Sequence, residues 1–173
     1  MAHFDNLREL EPNLDGTRLR IGIVMSHCNS SICENLLGAC VATLGKHGVK
    51  QENITLTSVP GSLELLLMLQ AQASTGSYDA LIALGAVVRG EKSYRFEVVC
   101  NECAAGITRV QLDSGVPIAN GVLMTETDPQ YGLTQYGERA ATTAVAMANL
   151  MQPFKLRRSA IPASDAAASR LAA

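Results

Sequence analysis

Four short apolar runs alternate with segments of helical periodicity, and this alternation constrains the fold more than any other feature of the chain. The apolar runs predict buried strands at residues 19–25, 54–59, 80–88 and 118–124. The helices predicted between and after them cover residues 32–46, 62–73, 95–114 and 138–151, with Asn29 or Ser30 capping the first and Pro153 following the last. Strand-then-helix units in series predict an α/β fold, in which a four-stranded parallel sheet is covered by helices on both faces.

The size and composition of the chain fit one globular domain. With 173 residues it is long enough to bury a core. Its 47% hydrophobic and 17% charged residues are typical of a folded rather than a disordered protein. We predict a single domain over residues 1–173, with its core at about 14–151 and a frayed terminus at 152–173.

Charge and hydropathy exclude several classes of partner. A net charge of -2 gives no general attraction to nucleic acid or to an anionic membrane. No apolar run is long enough to span a bilayer. The N-terminal segment contains acidic residues and no apolar stretch, unlike a signal peptide. We therefore expect a cytoplasmic protein that binds neither nucleic acid nor membranes.

The five cysteines leave several interpretations open. Cys33 and Cys40 share a face of a predicted helix, which favours buried thiols. Cys100 and Cys103 form a C-x-x-C pair, which is a redox pair, half of a metal site or plain helix packing. Because the sequence holds no second pair and no nearby histidine, we favour packing and predict no metal site.

The segments around the strand ends, where ligands bind in such sheets, carry a family resemblance. Residues 59–64 read V-P-G-S-L-E, residues 79–91 read D-A-L-I-A-L-G-A-V-V-R-G-E, and residues 116–123 read V-P-I-A-N-G-V-L. From about residue 14 to residue 150, in order and at nearly constant spacing, the sequence resembles the 6,7-dimethyl-8-ribityllumazine synthases.

The resemblance implies both a fold and a reaction. The implied fold is a flavodoxin-like three-layer α/β/α sandwich, its sheet extended by an N-terminal strand from a neighbouring subunit. The implied assembly is a homo-oligomer, namely a pentamer that can pair or build icosahedral shells. The implied reaction joins 5-amino-6-(D-ribitylamino)uracil to 3,4-dihydroxy-2-butanone 4-phosphate and makes 6,7-dimethyl-8-ribityllumazine for riboflavin biosynthesis, with no cofactor.

The resemblance also implies the residues of the site, formed between subunits. Its substrate-binding positions fall on Cys28, Ser62, Leu63, Glu64, Ala86, Val87, Val88 and Asn120. Its phosphate-binding positions fall on Arg89, Gly90, Glu91 and Lys92, with Arg139 as the nearest cation of the last helix. Backbone N–H groups and the dipole at a helix start suit a phosphate, although an ordinary turn and a solvated Arg139 are the alternatives.

Several positions depart from the family pattern. The aromatic residue that stacks on the pyrimidine falls on Cys28, and a proline falls on Leu66. The catalytic histidine falls on Arg95, with one extra residue between Arg95 and Gly90. Arginine stays protonated and does not shuttle protons near neutral pH. His27, at a strand exit, is a weak substitute, because a solvent-exposed loop histidine is the simpler interpretation.

These departures leave two functions open. One is a working lumazine synthase that is slowed by the loss of acid–base assistance, typically worth ~10²–10⁴-fold. The other is a catalytically impaired relative that serves as an oligomeric shell, a scaffold or a flavin-type ligand-binding protein.

Overall fold

In a computed structural model, the protein is described over residues 9–89, 93–127 and 132–159. The strands are β1 (Ile21–Ser26), β2 (Ile54–Val59), β3 (Ala80–Val88) and β4 (Ile118–Thr125). The helices are α1 (Ser30–Lys46), α2 (Leu65–Ser74), α3 (Ser93–Ser114) and α4 (Leu133–Ser159), and a 3₁₀ turn at Gln51–Asn53 precedes β2.

The strands form one parallel sheet in the order β2-β1-β3-β4. Ile21 at the start of β1 lies opposite Ile54 of β2 on one side and Ala80 of β3 on the other. The chain therefore moves outward from β1 in one direction to reach β2 and in the opposite direction to reach β3. The carboxyl ends of β1 and β3 mark this reversal, which is where flavodoxin-like sheets bind ligands.

Helices cover both faces of the sheet, as the alternating pattern predicts. On one face, Ile21, Ile23 and Met25 of β1 pack in a core shared with α1 and α4. On the other face, Val24 and Leu81 pack in a core shared with α2 and α3. Successive strand side chains thus point to opposite cores. The predicted flavodoxin-like three-layer α/β/α sandwich is confirmed.

The helix ends differ from the sequence-based expectation. Helix α2 begins at Leu65, because the residues before it form a turn closed by the N–H of Leu66 on the carbonyl of Leu63, 3.4 Å away. The predicted end of the last helix before Pro153 is wrong, because α4 runs through that proline to Ser159. A proline within a helix leaves one carbonyl without its N–H partner, and Pro153 is exposed near the end of α4. The predicted tail beyond residue 159 lies outside the described residues.

Candidate active site

Three strand exits and the start of α3 enclose one cavity of ≈ 610 Å³ at the carboxyl edge of the sheet. The exit of β1 contributes Cys28 and Asn29, the β2–α2 turn contributes residues 61–64, and the end of β3 contributes residues 86–88. Helix α3 closes the fourth side with Arg95, Phe96 and Val99. The fold thus brings together eight of the residues that the sequence predicts for the site: Cys28, Ser62, Leu63, Glu64, Ala86, Val87, Val88 and Arg95.

The β2–α2 turn places a carboxylate against the cavity. A Cβ atom added to Gly61 would lie 2.6 Å from Oε2 of Glu64 and 3.8 Å from Sγ of Cys28. Only glycine therefore leaves room for the carboxylate in this position. Ser62 is buried, and its carbonyl accepts a hydrogen bond from the Cys103 thiol at 3.6 Å. The Cys103 thiol of α3 thus holds the turn, and Ser62 and Glu64 of the turn line the cavity.

The exit of β1 is held by thiol hydrogen bonds. The Cys28 thiol donates to the carbonyl of Pro60 at 3.3 Å, and the Cys33 thiol donates to the carbonyl of Cys28 at 3.2 Å. Burial raises the pKa of the Cys33 thiol, so this group keeps its proton and remains a donor at neutral pH. Cys28 itself is exposed on the cavity side.

Asn29 lines the cavity, although its sequence context predicts only a helix cap. It stands at the N-cap position of α1, but its side chain makes no capping hydrogen bond. Its backbone is left-handed, with φ 55° and ψ 54°, a conformation in which asparagine is several-fold enriched over other non-glycine residues. Its side-chain Nδ2 donates instead to the carbonyl of Ala86, 3.0 Å away.

The positively charged group of the cavity is the guanidinium of Arg95. It lies in the first turn of α3, is exposed, and makes no ion pair with any described residue. A guanidinium stays charged and offers several N–H donors in one plane, which suits a phosphate or a carboxylate. It is not a proton shuttle. Arg95 therefore gives the cavity a permanent positive charge that could pair with an anion, and it supplies no acid–base group.

Arg89, predicted to hold phosphate, has other partners. Its Nη2 lies 3.5 Å from Oε1 of Glu97, and its Nε lies 2.5 Å from Oε2 of Glu126, as an ion pair rather than an aligned hydrogen bond. Its guanidinium carbon lies 4.6 Å from the centroid of the Phe96 ring. Arg89 thus joins the ends of β3 and β4 to the first turn of α3. Gly90, Glu91 and Lys92 lie outside the described residues, so the phosphate loop stays a prediction.

Asn120 and Arg139 lie elsewhere in the subunit. Both line a second cavity of ≈ 290 Å³ beside β4 and α4, together with Tyr136. Asn120 and Arg139 thus lie in a different cavity of the chain from the eight predicted residues of the main cavity, and Arg89 lines neither cavity.

Comparisons with known proteins match most of the chain. Residues 18–152 match the family model described as 6,7-dimethyl-8-ribityllumazine synthase. Proteins of that name from Azoarcus sp. and Nitrosospira multiformis are 53% and 54% identical over 154 residues, which cover 88% of this chain and 98% and 96% of theirs. The protein of that name from Burkholderia multivorans is 55% identical over 144 residues, covering 82% of this chain and 83% of its own. The chain belongs to the 6,7-dimethyl-8-ribityllumazine synthase family.

The two positions that the sequence predicts to depart most from the family pattern both line the main cavity. Cys28 stands at the β1 exit and Arg95 on the α3 side. His27 is exposed, and its backbone N–H donates to the carbonyl of Val59 at 2.8 Å. Its side chain is not among the residues that line either cavity.

The described residues also bear on whether the chain holds a metal ion or crosses a membrane. Within the described ranges, no group of three or more His, Cys, Asp and Glu side chains is arranged to hold a metal ion. Cys100 and Cys103 lie on α3, where burial raises the pKa of both thiols. Among the described helices, none combines the length and apolar character needed to cross a bilayer.

Proposed function

We propose that this chain is a working lumazine synthase, which condenses 5-amino-6-(D-ribitylamino)uracil with 3,4-dihydroxy-2-butanone 4-phosphate to 6,7-dimethyl-8-ribityllumazine. One observation carries the proposal: a single cavity gathers the β2–α2 turn, the end of β3 and the Arg95 guanidinium, which has no ion pair among the described residues. The membership of the chain in the family supplies the reaction.

The cavity offers complementary surfaces for the ribityl pyrimidine. Glu64 and the backbone of Ser62 and Leu63 supply hydrogen-bonding groups that match the hydroxyls of a ribityl chain. The end of β3 supplies apolar side chains and backbone groups for a flat ring with amide edges. Cys28 contacts that ring with sulfur instead of an aromatic face, which forfeits stacking worth ~1 kcal/mol.

The butanone phosphate is held by Arg95. Its guanidinium binds the phosphate with paired, charge-assisted hydrogen bonds, which places the ketone beside the ring amine. The ring amine then attacks the ketone and one water leaves to give an imine, after which a proton is lost and phosphate is eliminated. The ribitylamino nitrogen attacks the remaining carbonyl, and the ring closes with loss of a second water. Catalysis in this chain relies on proximity and charge, and lacks the ~10²–10⁴-fold that a positioned acid–base group contributes.

We further propose that the chain works as a homopentamer or a multiple of one, with Asn120 and Arg139 completing a neighbour's site. The outer edge of β2 pairs with no strand of the described chain, and Leu56 on it is exposed. Leu67 on α2 and Leu112 on α3 are each 74% exposed. Apolar side chains and an open sheet edge of this kind favour association. Residues 9–20 form no strand here, and their addition to a neighbour's sheet stays a prediction.

The alternative is a binding protein that has lost turnover. The observation that favours it is Arg95, the cavity residue that stands where the family has its catalytic histidine. Such a protein keeps the cavity and the assembly and binds a lumazine or a flavin without making one. We also expect a cytoplasmic location, which cell fractionation tests.

The experiment that tests the proposal is lumazine formation from the two substrates, followed by absorbance on purified protein. Sedimentation velocity on the same sample checks that the oligomer is intact, with the chain mass of 18.3 kDa as the unit. Product above the uncatalysed rate supports the proposal. Background rate from a folded pentamer that still binds the lumazine supports the alternative instead.

A further inference from the structure

Strand β3 extends beyond its pairing with β1. The register between them ends at Met25 opposite Leu84, whereas β4 accompanies β3 as far as Val88 opposite Thr125. Ala86 therefore lies past the last β1 partner, at the mouth of the cavity. Its residue is only 1% exposed, so its carbonyl needs a partner other than bulk water.

Asn29 supplies that partner. Its Nδ2 lies 3.0 Å from the carbonyl oxygen of Ala86. Because a carbonyl oxygen only accepts, the amide nitrogen must face it, which fixes the orientation of the Asn29 amide. One side chain thus stands where the next residue of β1 would stand if that strand were longer.

The backbone of Asn29 is shaped for this contact. With φ 55° it is the only non-glycine residue in the left-handed region among the described residues. Its carbonyl accepts the N–H groups of Ile32 at 3.0 Å and Cys33 at 3.1 Å, which start α1. The backbone therefore begins the helix while the side chain turns back to the sheet. Uncommon conformations of this kind point to a local requirement.

We propose that Asn29 is a positioning residue, which holds the end of β3 so that the cavity wall at residues 86–88 meets the ring of the bound pyrimidine in a fixed orientation. The inference rests on the proposed function, since that wall is the ring-binding side of the cavity. Asn29 thereby joins the proposed site, as a residue that acts through its hydrogen bond to Ala86.

The test compares Asn29→Gly and Asn29→Asp with Asn35→Asp. Glycine accepts the left-handed backbone but deletes the amide, and aspartate keeps the shape but loses the donor. Asn35 is a matched control, because it is an exposed asparagine of α1 whose Nδ2 donates to the carbonyl of Ser31 at 2.9 Å, outside the cavity. The measurements are KM and kcat, the Kd of 6,7-dimethyl-8-ribityllumazine by fluorescence, and amide hydrogen exchange at the end of β3.

We expect both Asn29 variants to raise the KM for the ribityl pyrimidine and the Kd for the lumazine by about tenfold, the loss of roughly one buried hydrogen bond. In Asn29→Gly, kcat should stay within about twofold and the fold should persist, because glycine relieves the left-handed backbone. Exchange at the end of β3 should rise in both variants. Asn35→Asp should change none of these quantities.

A folded Asn29→Gly with the KM, Kd and exchange of the unaltered protein overturns the inference. A loss of melting temperature alone, with the other readouts unchanged, also overturns it, because that is what a purely structural residue gives. If the unaltered protein neither forms nor binds the lumazine, the proposed function fails. Exchange at the end of β3 then decides separately whether Asn29 holds the wall.

Discussion

Two arginines near the start of α3 meet opposite surroundings. Arg89, just past β3, lies between Glu97 and Glu126 and over the ring of Phe96. Arg95, in the first turn of α3, lines the cavity and has no ion pair among the described residues. A charge neutralised by carboxylates stabilises the scaffold, whereas an unpaired charge in a cavity attracts a ligand. We therefore expect Arg95 to bind a ligand and Arg89 to support the scaffold.

The largest effect should come from Arg95→His. A histidine titrates near neutral pH and restores the acid–base group, so we expect kcat to rise by about 10²-fold. The KM for the butanone phosphate should rise as well, because the permanent cation is lost. Steady-state kinetics measure both, with Arg109→His on the exposed side of α3 as the control. No gain in kcat from a folded oligomer would show that the turn with its extra residue holds this position away from the reacting atoms.

Substituting alanine for Arg95 or Arg89 tests directly whether the first binds substrate and the second stabilises the fold. Arg95→Ala should raise the KM for the butanone phosphate by about 10- to 100-fold, the loss of a charged hydrogen bond, with little change in unfolding free energy because the side chain is exposed. Arg89→Ala should instead lower the unfolding free energy by about 1 kcal/mol, since its carboxylate partners are solvated and the ring contact is modest. Urea unfolding and steady-state kinetics on both variants give the two quantities.

The dependence of stability on salt concentration should also distinguish Arg89 from Arg95. The Arg89 ion pairs join partly exposed groups, so their contribution to stability should shrink at high ionic strength. The comparison breaks if Arg89→Ala raises the KM for the phosphate substrate as much as Arg95→Ala does while stability is unchanged. In that case Arg89 leaves its carboxylates when substrate binds.

A smaller effect is expected from Gly61→Ala. The added methyl group would meet Oε2 of Glu64 at 2.6 Å and push the carboxylate aside, so the KM for the ribityl pyrimidine should rise about fivefold, or roughly 1 kcal/mol. Gly38→Ala is the control, because a Cβ there meets nothing within 4 Å and lies in α1. That variant should gain about 0.5–1 kcal/mol in stability with unchanged kinetics. An unchanged KM in Gly61→Ala would mean that Glu64 does not bind the ribityl chain.

The smallest effect concerns the buried thiols of the scaffold. Burial raises the pKa of Cys40 from 9.0 to about 12. Below pH 9 the thiol is protonated in both states; above it the unfolded chain ionises and the folded one does not, so stability falls as pH rises from 9 towards 12. At pH 9 the loss is about 0.5 kcal/mol per thiol. Urea unfolding at pH 7 and pH 9.5 should show a shallower decline for Cys40→Ala, and an equal decline would contradict the assignment.

The sequence predicts the sheet well because strand patterns are local. Strands β2 and β3 have the predicted bounds, and β1 and β4 differ from theirs by one or two residues. The sequence also predicts which segments form the cavity walls, because the carboxyl ends of parallel strands meet at one edge of the sheet. The roles of Arg89 and Asn29 do not follow. Glu126 comes next to Arg89 only through the pairing of Val88 with Thr125, and Asn29 has its partner on a strand far along the chain.

The order of the sheet also bears on how the chain is made. Strand β1 leaves the ribosome first yet lies in the interior of the sheet, with β2 on one side and β3 on the other. No hairpin joins neighbouring strands, so every pairing waits for a helical crossover to be synthesised, at ≈ 5–20 residues per second. The apolar β1 therefore spends seconds without its second neighbour. Early α1 packing shields one of its faces, while the other depends on chaperones or on rapid arrival of the chain that follows.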